Sequence, residues 1–482
     1  MSQQQLRLLL DLASPVLVAS MAQALIYTGT TIFLGRLGGE ELAGAGLALS
    51  YCNSTGVAVA MGLAVGIDVL CSQGHGAKQY QMIGVAAMRG TLISILFLFP
   101  LSLLWAKTGP MLRALGQRET VVAMAERFAL TYLKTGCLFS WCVFENVKRA
   151  LQAQEVVRPV VWTTLIGALA NICYNCVAIS ILGLGVEGAA IALGATSWTM
   201  MVLLIWSVWW YQIGEKGSWD LIWSPLVLQE WWGYLSIAAP GVIGVCVEWW
   251  SFDGTMIVAG LLTEAELAGQ TALLNIVFAL YCVPLAIATA CTIRVGNLLG
   301  ENDPEGASQA AKVAILLSLG VAVAINIFLV GFISVWPWMY TNDLNVVAAI
   351  ARVAWVLAPF ELLDTAQVAA SSIFKGMGRP HVPAVACFFA FWGIALPLSW
   401  WLSVSCNWGL RGIWAAFSVA ELPLLIVYLV TLKLTNWSVM AHQARERVGA
   451  SVSPKPRHKD LQPLLAAKKD SGMTHGTFSA TT

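Results

Sequence analysis

The sequence predicts an all-α polytopic membrane protein with twelve transmembrane helices in two pseudo-symmetric lobes of six. Three observations predict this fold class: the composition, the recurrence of long apolar stretches, and an internal repeat. The chain has 482 residues, of which 58% are hydrophobic and only 11% are charged, whereas soluble domains carry about 25% charged residues. So few charges cannot cover the surface of a water-soluble enzyme of this length. The net charge of +1 gives no indication of nucleic-acid binding.

The apolar stretches account for most of the chain. A helix needs about 20 mostly apolar residues to cross roughly 30 Å of hydrocarbon, and the Pro and Gly residues inside these stretches are tolerated in membrane helices. In chain order, the predicted spans lie near residues 13–34, 44–71, 84–106, 122–144, 159–182, 187–211, 232–260, 267–292, 310–337, 345–373, 383–405 and 411–433.

The distribution of basic residues predicts the orientation. An even number of spans places both termini on the same side of the membrane. Loops on that side contain eleven Lys and Arg residues and loops on the other side contain seven, and the C-terminal segment adds further basic residues. Because basic loops favour the cytoplasmic side, we expect both termini in the cytoplasm.

Short motifs recur at a nearly constant offset along the chain. The tetrapeptide that ends at Pro15 is echoed by one that ends at Pro240, and Glu-Leu-Ala-Gly occurs at 41–44 and, by the same offset, at 266–269. Arg-Pro occurs at 158–159 and at 379–380, and a Gly-x-x-Gly motif occurs at 185–188 and at 409–412. Each unit comprises six spans, so the halves are parallel repeats, as in two-lobed secondary transporters.

The repeat and the composition together divide the chain into four parts. We expect an N-lobe over 1–210, an inter-lobe linker over 211–231 and a C-lobe over 232–433. Residues 434–482 are predicted to be a disordered cytoplasmic tail, because Ser, Pro, Lys and Gly are scattered over 442–482 without helical periodicity.

Acidic residues inside the spans are candidate functional residues, because an ionised group at mid-bilayer costs at least about 2.5 kcal/mol. Glu248 and Asp364 lie deepest, and the alternative for each is an interhelical hydrogen bond of a neutral acid. Asp68 and Glu145 lie near the cytoplasmic ends of their spans, where snorkelling or loop capping is expected. The remaining acidic residues in or beside the spans are Asp253, Glu361 and Glu421.

The tenth span carries one polar face. Glu361, Asp364, Gln367 and Ser371 recur at helical spacing. Such a face must contact protein or water rather than lipid.

Several motifs resemble those of the eukaryotic MATE (multidrug and toxic compound extrusion) transporters. The second-lobe motifs are Glu-Trp-Trp-Ser-Phe-Asp at 248–253, Glu-Leu-Ala-Gly-Gln at 266–270 and Arg-Val-Gly-Asn-Leu-Leu-Gly at 294–300. In the first lobe, residues 34–38, 41–44, 55–56 and 72–77 resemble family motifs, and residues 374–380 match the segment after the tenth span. The resemblance covers roughly residues 6–437.

The resemblance implies a proton- or sodium-driven antiporter that exports organic compounds through a central cavity and needs no other cofactor. It assigns cation coupling, with protons preferred, to Glu248 and Asp364. Trp249 and Tyr281 could add cation–π contacts with a substrate. The candidate substrate-binding residues are Trp249, Asp253, Gln270, Asn275, Tyr281, Gln367, Gln23, Asn171 and Asn175.

The sequence departs from the family pattern at three positions. Thr30 and Asn175 stand where some prokaryotic members carry coupling aspartates, so coupling is expected in the second lobe. Asn275 stands where some animal relatives carry an acid, so a weaker or different cation preference is expected.

Other function classes fit the sequence less well. A membrane enzyme would need a metal or nucleophile cluster, yet the only histidines outside the tail are His75 and His381, in separate loops. A passive channel would explain the polar face but not the repeat. A lipid or metabolite flippase of related architecture stays open as the alternative. The expected partners are a small organic substrate and membrane lipids, without nucleic acid.

The tail contains one short motif, Asp460–Leu465, which has the form of an acidic dileucine sorting signal. A flexible segment with one carboxylate and two adjacent leucines can bind a sorting adaptor; the alternative is a chance match. If the signal is real, the protein belongs partly on a vacuolar or lysosomal membrane, and otherwise on the plasma membrane.

We predict that replacing Leu464 and Leu465 by Ala in a fluorescently tagged protein moves it from internal membranes to the cell surface. Fluorescence microscopy measures the distribution, and substrate efflux from vesicles serves as the control, since transport itself should not change. An unchanged distribution would reject the sorting role.

Overall fold

The computed structural model describes residues 2–114, 116–341 and 343–450, and the regular structure within these ranges is helical. Eleven of the described helical segments are long and apolar enough to cross a membrane. Large apolar side chains are exposed on their outer faces; Phe99 is 70% exposed and Trp355 is 77% exposed. Such a surface suits lipid rather than water.

The described part of the first half contains nine α-helices. A π-helical turn at Asn53–Val57 joins the second and third helices into one segment, and another at Cys176–Ile181 extends the eighth. In order they are α1 (Ser2–Gly35), α2 (Gly39–Cys52), α3 (Ala58–Gly76), α4 (Tyr80–Trp105), α5 (Thr108–Ala114), α6 (Glu119–Lys134), α7 (Cys137–Ala153), α8 (Arg158–Asn175) and α9 (Gly185–Tyr211).

The second half, as far as residue 450, adds eight further α-helices among its described residues. They are α10 (Trp231–Ala259), α11 (Glu264–Gly300), α12 (Pro304–Gly331), α13 (Leu344–Gly376), α14 (His381–Cys387), α15 (Leu396–Trp400), α16 (Leu410–Leu434) and α17 (Trp437–Ala450). The segments α14 and α15 are joined and extended by π-helical turns at Phe388–Ala395 and Trp401–Ser405. Short 3-10 helices occur at Pro225–Leu228, in the turns between α9 and α10, and at Trp336–Met339.

The repeated Glu-Leu-Ala-Gly motif has a local structural role in the second half. Thr263 caps the N-terminus of α11, and the Glu266 carboxylate accepts a hydrogen bond from the Thr263 backbone, which completes a capping box. The same carboxylate accepts a hydrogen bond from the Leu410 backbone N–H at 3.1 Å. One side chain therefore fixes the start of α11 and ties it to the start of α16.

The structure differs from the sequence prediction in two elements. The predicted fourth span, near 122–144, is two helices, α6 and α7, which meet at Gly136 in a left-handed conformation (φ 65°). Either helix alone is too short to cross about 30 Å of hydrocarbon. The prediction that the chain is disordered from residue 434 onward is wrong for Trp437–Ala450, because these residues form the helix α17. Its buried face is not evident from the sequence, because the segment is polar overall. The Asp460–Leu465 motif lies outside the described residues.

The two halves pack against each other through closely approaching backbones. The third helix lies along α10 and α11, and Gly62 on α3 sits directly against the backbone of Val242 on α10. A Cβ atom at position 62 would overlap Val242. By contrast, Gly46 on α2 has no atom within 4 Å of the corresponding position. Gly62 is therefore required by inter-half packing.

We predict that Gly62→Ala lowers the stability of the detergent-solubilised protein by about 1–3 kcal/mol, because overpacking forces the backbones apart. Gly46→Ala, in the same span, is the matched control and should leave the melting temperature unchanged or slightly higher. Thermal melting followed by tryptophan fluorescence measures both. Equal melting temperatures for the two variants would show that the α3–α10 contact tolerates separation.

Candidate functional site

A cavity of about 320 Å³ lies between the two halves. Its walls come from α1, α3 and α7 of the first half and from α10, α11 and α13 of the second. Four of the candidate coupling and substrate-binding residues line it: Gln23, Glu248, Trp249 and Tyr281. A cavity bounded by both halves of an internal repeat changes its access when the halves move relative to each other.

Glu248 is the carboxyl group that the second half contributes to the cavity lining. It lies on α10, is half-buried, and interacts with the Tyr281 side chain of α11. The indole of Trp249 lines the same wall. The Lys375 side chain, near the end of α13, lines the same cavity. A carboxylate beside two aromatic rings is a suitable arrangement for an organic cation.

The first half contributes a paired network of charges to the same cavity. Arg149 on α7 forms ion pairs with Asp68 on α3 and, at 3.0 Å, with Glu145. The Lys148 ammonium group also pairs with Glu145, whose side chain is 4% exposed. Snorkelling, expected for Asp68 and Glu145, is therefore wrong, because both carboxylates turn inward toward Arg149.

Three further carboxyl groups are buried in the second half, away from the cavity lining. Asp364 and Glu361 on α13 are each 4% exposed, and Glu421 on α16 is fully buried. Gln367 donates a hydrogen bond to Asp364 at 3.1 Å. Among the described residues, one oxygen of Glu361 and both oxygens of Glu421 lack a hydrogen-bond partner. Three buried acids without a cation beside them cannot all be ionised.

Two candidate residues of the first half form a neutral network within that half. Asn175 donates to the Thr30 hydroxyl at 3.1 Å and to Asn171 Oδ1 at 3.0 Å. Asn171 in turn donates to the Thr196 hydroxyl at 3.0 Å. These side chains are buried and do not line the cavity described above. Their hydrogen bonds tie α1, α8 and α9 together without a titratable group.

The remaining candidates also lie away from this cavity. Gln270 is fully buried between Thr255 and Trp414, with hydrogen bonds of 2.8 and 2.9 Å to their side chains. The Gln367 side chain is buried and donates its hydrogen bond to Asp364. Asn275 is exposed on α11 and donates to a carbonyl of its own helix.

Asp253 lies at a contact between the halves. The Ser54 hydroxyl of the first half donates to its carboxylate at 2.5 Å, and the Trp250 indole donates to the Ser54 carbonyl at 2.8 Å. This pair of hydrogen bonds connects α10 to the π-helical turn between α2 and α3. Asp253 therefore joins the halves rather than lining the cavity.

Comparison with known proteins agrees with this architecture. The MatE family model matches the chain twice, at residues 15–177 and 240–401. The two matches begin at Pro15 and Pro240, which are the equivalent prolines of the sequence repeat.

The chain belongs to the MATE family.

Relatives from animals and plants cover most of this MATE family chain. Multidrug and toxin extrusion protein 2 of Mus musculus is 32% identical, over 92% of this chain and 76% of the relative. Protein DETOXIFICATION 49 of Arabidopsis thaliana is 30% identical, over 89% and 87%. The crystal structure of the eukaryotic MATE transporter AtDTX14 superposes with a TM-score of 0.88 at 26% identity, over 93% of this chain and 99% of that one.

As a member of this family the protein is a multi-pass membrane transporter of the multidrug and toxin extrusion class rather than an enzyme. The sequence interpretation nevertheless missed part of its site. The Glu145, Lys148 and Arg149 spacing of i, i+3 and i+4 places all three on one face of a helix. That spacing could have indicated a paired network inside the seventh helix, whereas the partner Asp68 is visible only in the fold.

Proposed function

We propose that this MATE family protein is a secondary active antiporter that exports organic compounds, chiefly organic cations, in exchange for protons. The observation that carries the proposal is the position of Glu248, a carboxyl group on the wall of a cavity bounded by both halves. Trp249 and Tyr281 beside it offer the aromatic surface that favours organic cations. The name of the mouse relative, a multidrug and toxin extrusion protein, supports this substrate class.

The exchange follows from competition for one carboxyl group. A desolvated carboxyl group prefers its neutral, protonated form, and a cation placed against it restores the charged form. Glu248 can therefore hold a proton or a cationic substrate, but not both. If the cavity opens alternately to the two sides, proton binding on one side releases substrate there, and substrate binding on the other side releases the proton.

Asp364 is the second coupling group in this proposal. It is buried behind the cavity, and like charges on Glu248 and Asp364 repel each other. Ionisation of one therefore disfavours ionisation of the other. Glu361 and Glu421 are buried in the same half, and their carboxyl groups have oxygens without a hydrogen-bond partner in the described ranges, so ionising either group would also be costly.

The charged network of the first half has a different role in this mechanism. Arg149 and Lys148 neutralise Asp68 and Glu145 in place, so no proton has to be gained or lost there. The neutral network around Asn175 likewise carries no proton. We therefore assign coupling to the C-lobe (232–433), with the N-lobe (1–210) as its packing partner across the linker (211–231).

The orientation and membrane are part of the proposal. We place both termini in the cytoplasm, because basic residues are more frequent in the loops on that side. The destination membrane is the plasma membrane, or a vacuolar or lysosomal membrane if the Asp460–Leu465 motif acts as a sorting signal.

We predict that Glu248→Gln lowers pH-driven transport of a fluorescent organic cation at least tenfold (roughly 1.4 kcal/mol or more). The amide keeps the volume and the hydrogen bonding of the side chain but cannot titrate. Transport is measured in proteoliposomes with an imposed pH gradient, and the melting temperature controls for folding. Full pH-driven transport by the variant would remove Glu248 from the mechanism. If the transport rate of the wild-type protein does not depend on the pH gradient, the flippase alternative would be favoured.

We predict a similar loss for Asp364→Asn and a much smaller one, within about threefold, for Asn175→Ala, because the first-half network has no proton to exchange. Asn175→Ala removes buried hydrogen bonds but no titratable group, so it controls for the loss of a buried polar contact. The same proteoliposome assay compares them. Equal losses would mean that coupling is shared with the first half.

A further inference from the structure

The C-terminal helix α17 lies across the ends of both halves. It packs on α3 of the first half and on α11 and α12 of the second. Its buried residues Met440, Ala441, Ala444 and Val448 recur at helical spacing and form one face. The helix is therefore docked on the transporter body rather than extended from it.

One side chain of this helix connects the two halves. The Arg447 guanidinium donates through Nη1 to Gln73 Oε1, at the end of α3, and to the Met377 carbonyl, just after α13, both at 3.0 Å. Gln73 is fully buried and donates through Nε2 to the Gly376 carbonyl at 3.0 Å. These hydrogen bonds join the first half, the second half and α17 into one unit.

The halves are tightly closed at the same end of the molecule. The backbone of Gly76 lies against that of Asn297, and Gly300 lies against the carbonyl of Gln73. A Cβ atom at either glycine would overlap the facing backbone. Alternating access requires the two halves to separate here in one of the two states. The hydrogen bonds of Arg447 and Gln73 therefore belong to the state in which this end is closed.

We propose that α17 is a latch that stabilises the closed state of this end through Arg447. When the halves separate, Gln73 moves away from Met377, and Arg447 can follow only one of them. Hydrogen bonds to a charged group are among the stronger single contacts in a protein, and their loss changes an equilibrium about tenfold or more. The latch thus sets how often this end opens, independently of which substrate or coupling ion is carried.

The test compares Arg447→Ala with Arg445→Ala in the full chain reconstituted in lipid nanodiscs. Arg445 is exposed on the same helix, so Arg445→Ala removes the same charge but keeps the hydrogen bonds of Arg447 to Gln73 and Met377. Hydrogen–deuterium exchange is measured for peptides covering residues 72–79, 296–303 and 373–379. Arg447→Ala should increase the population of the opened state, and hence exchange limited by opening, about tenfold in these segments. The substitution should leave the exchange of residues 119–134, in α6, unchanged.

Two further comparisons keep the proposal falsifiable if Arg447→Ala lowers the yield of folded protein. A chain that ends at residue 450 retains the latch and should exchange like the full chain, whereas one that ends at residue 436 should exchange like Arg447→Ala. Gln73→Ala should raise exchange as well, and adding Arg447→Ala to it should raise exchange by much less than the product of the single effects.

Unchanged exchange in Arg447→Ala and in the shorter chain would overturn the latch, as would an equal increase in Arg445→Ala. Because this measurement uses neither substrate nor a pH gradient, its failure leaves the proposed antiport standing. Conversely, loss of the antiport proposal would leave the latch intact.

Discussion

A carboxyl group enclosed by apolar helices must either meet a cation or give up its charge, and the two halves of this protein meet that constraint in opposite ways. In the first half, Arg149 and Lys148 hold Asp68 and Glu145 as ion pairs. In the second half, Glu361, Asp364 and Glu421 are buried together without an ion pair to a basic side chain in the described ranges. In the mechanism that we propose, the first arrangement stays fixed and the second responds to proton activity.

The two halves differ in this way although they share one repeat in the sequence. The two halves repeat one family pattern, at residues 15–177 and 240–401, and both contribute helices to one shared cavity. Close packing at Gly62, Gly76 and Gly300 lets the halves meet backbone to backbone. A packed interface of this kind has a few discrete arrangements rather than a continuous range, which suits a two-state transporter. In our proposal the first half is structural and the second half exchanges protons, because only the first half pairs its buried acids with basic side chains.

The spans and the repeat could be predicted because both are local or periodic properties of the sequence. Apolar length identifies the spans that form long helical segments, though not the break of the fourth span at Gly136, and the motif offsets are visible without a structure. The ion pair of Asp68 and Arg149 could not be predicted, since it joins residues 81 positions apart. The polarity of a residue does not predict whether it lines the cavity. Gln270 and Asn171 form hydrogen bonds with side chains of their own halves, whereas Glu248 lines the cavity. The break at Gly136 and the helix α17 depend on tertiary packing that overrides weak local signals.

The most direct measurement of the account's central claim is the movement of protons driven by substrate alone. Purified protein would be reconstituted in proteoliposomes with equal pH on both sides, an inward gradient of an organic cation and a pH-sensitive dye enclosed. If Glu248 exchanges a proton for a cation, as we propose, the interior should become more alkaline as substrate enters, at a rate proportional to uptake. Substrate uptake without any change of interior pH would contradict proton exchange. It would indicate a carrier that does not couple substrate to protons.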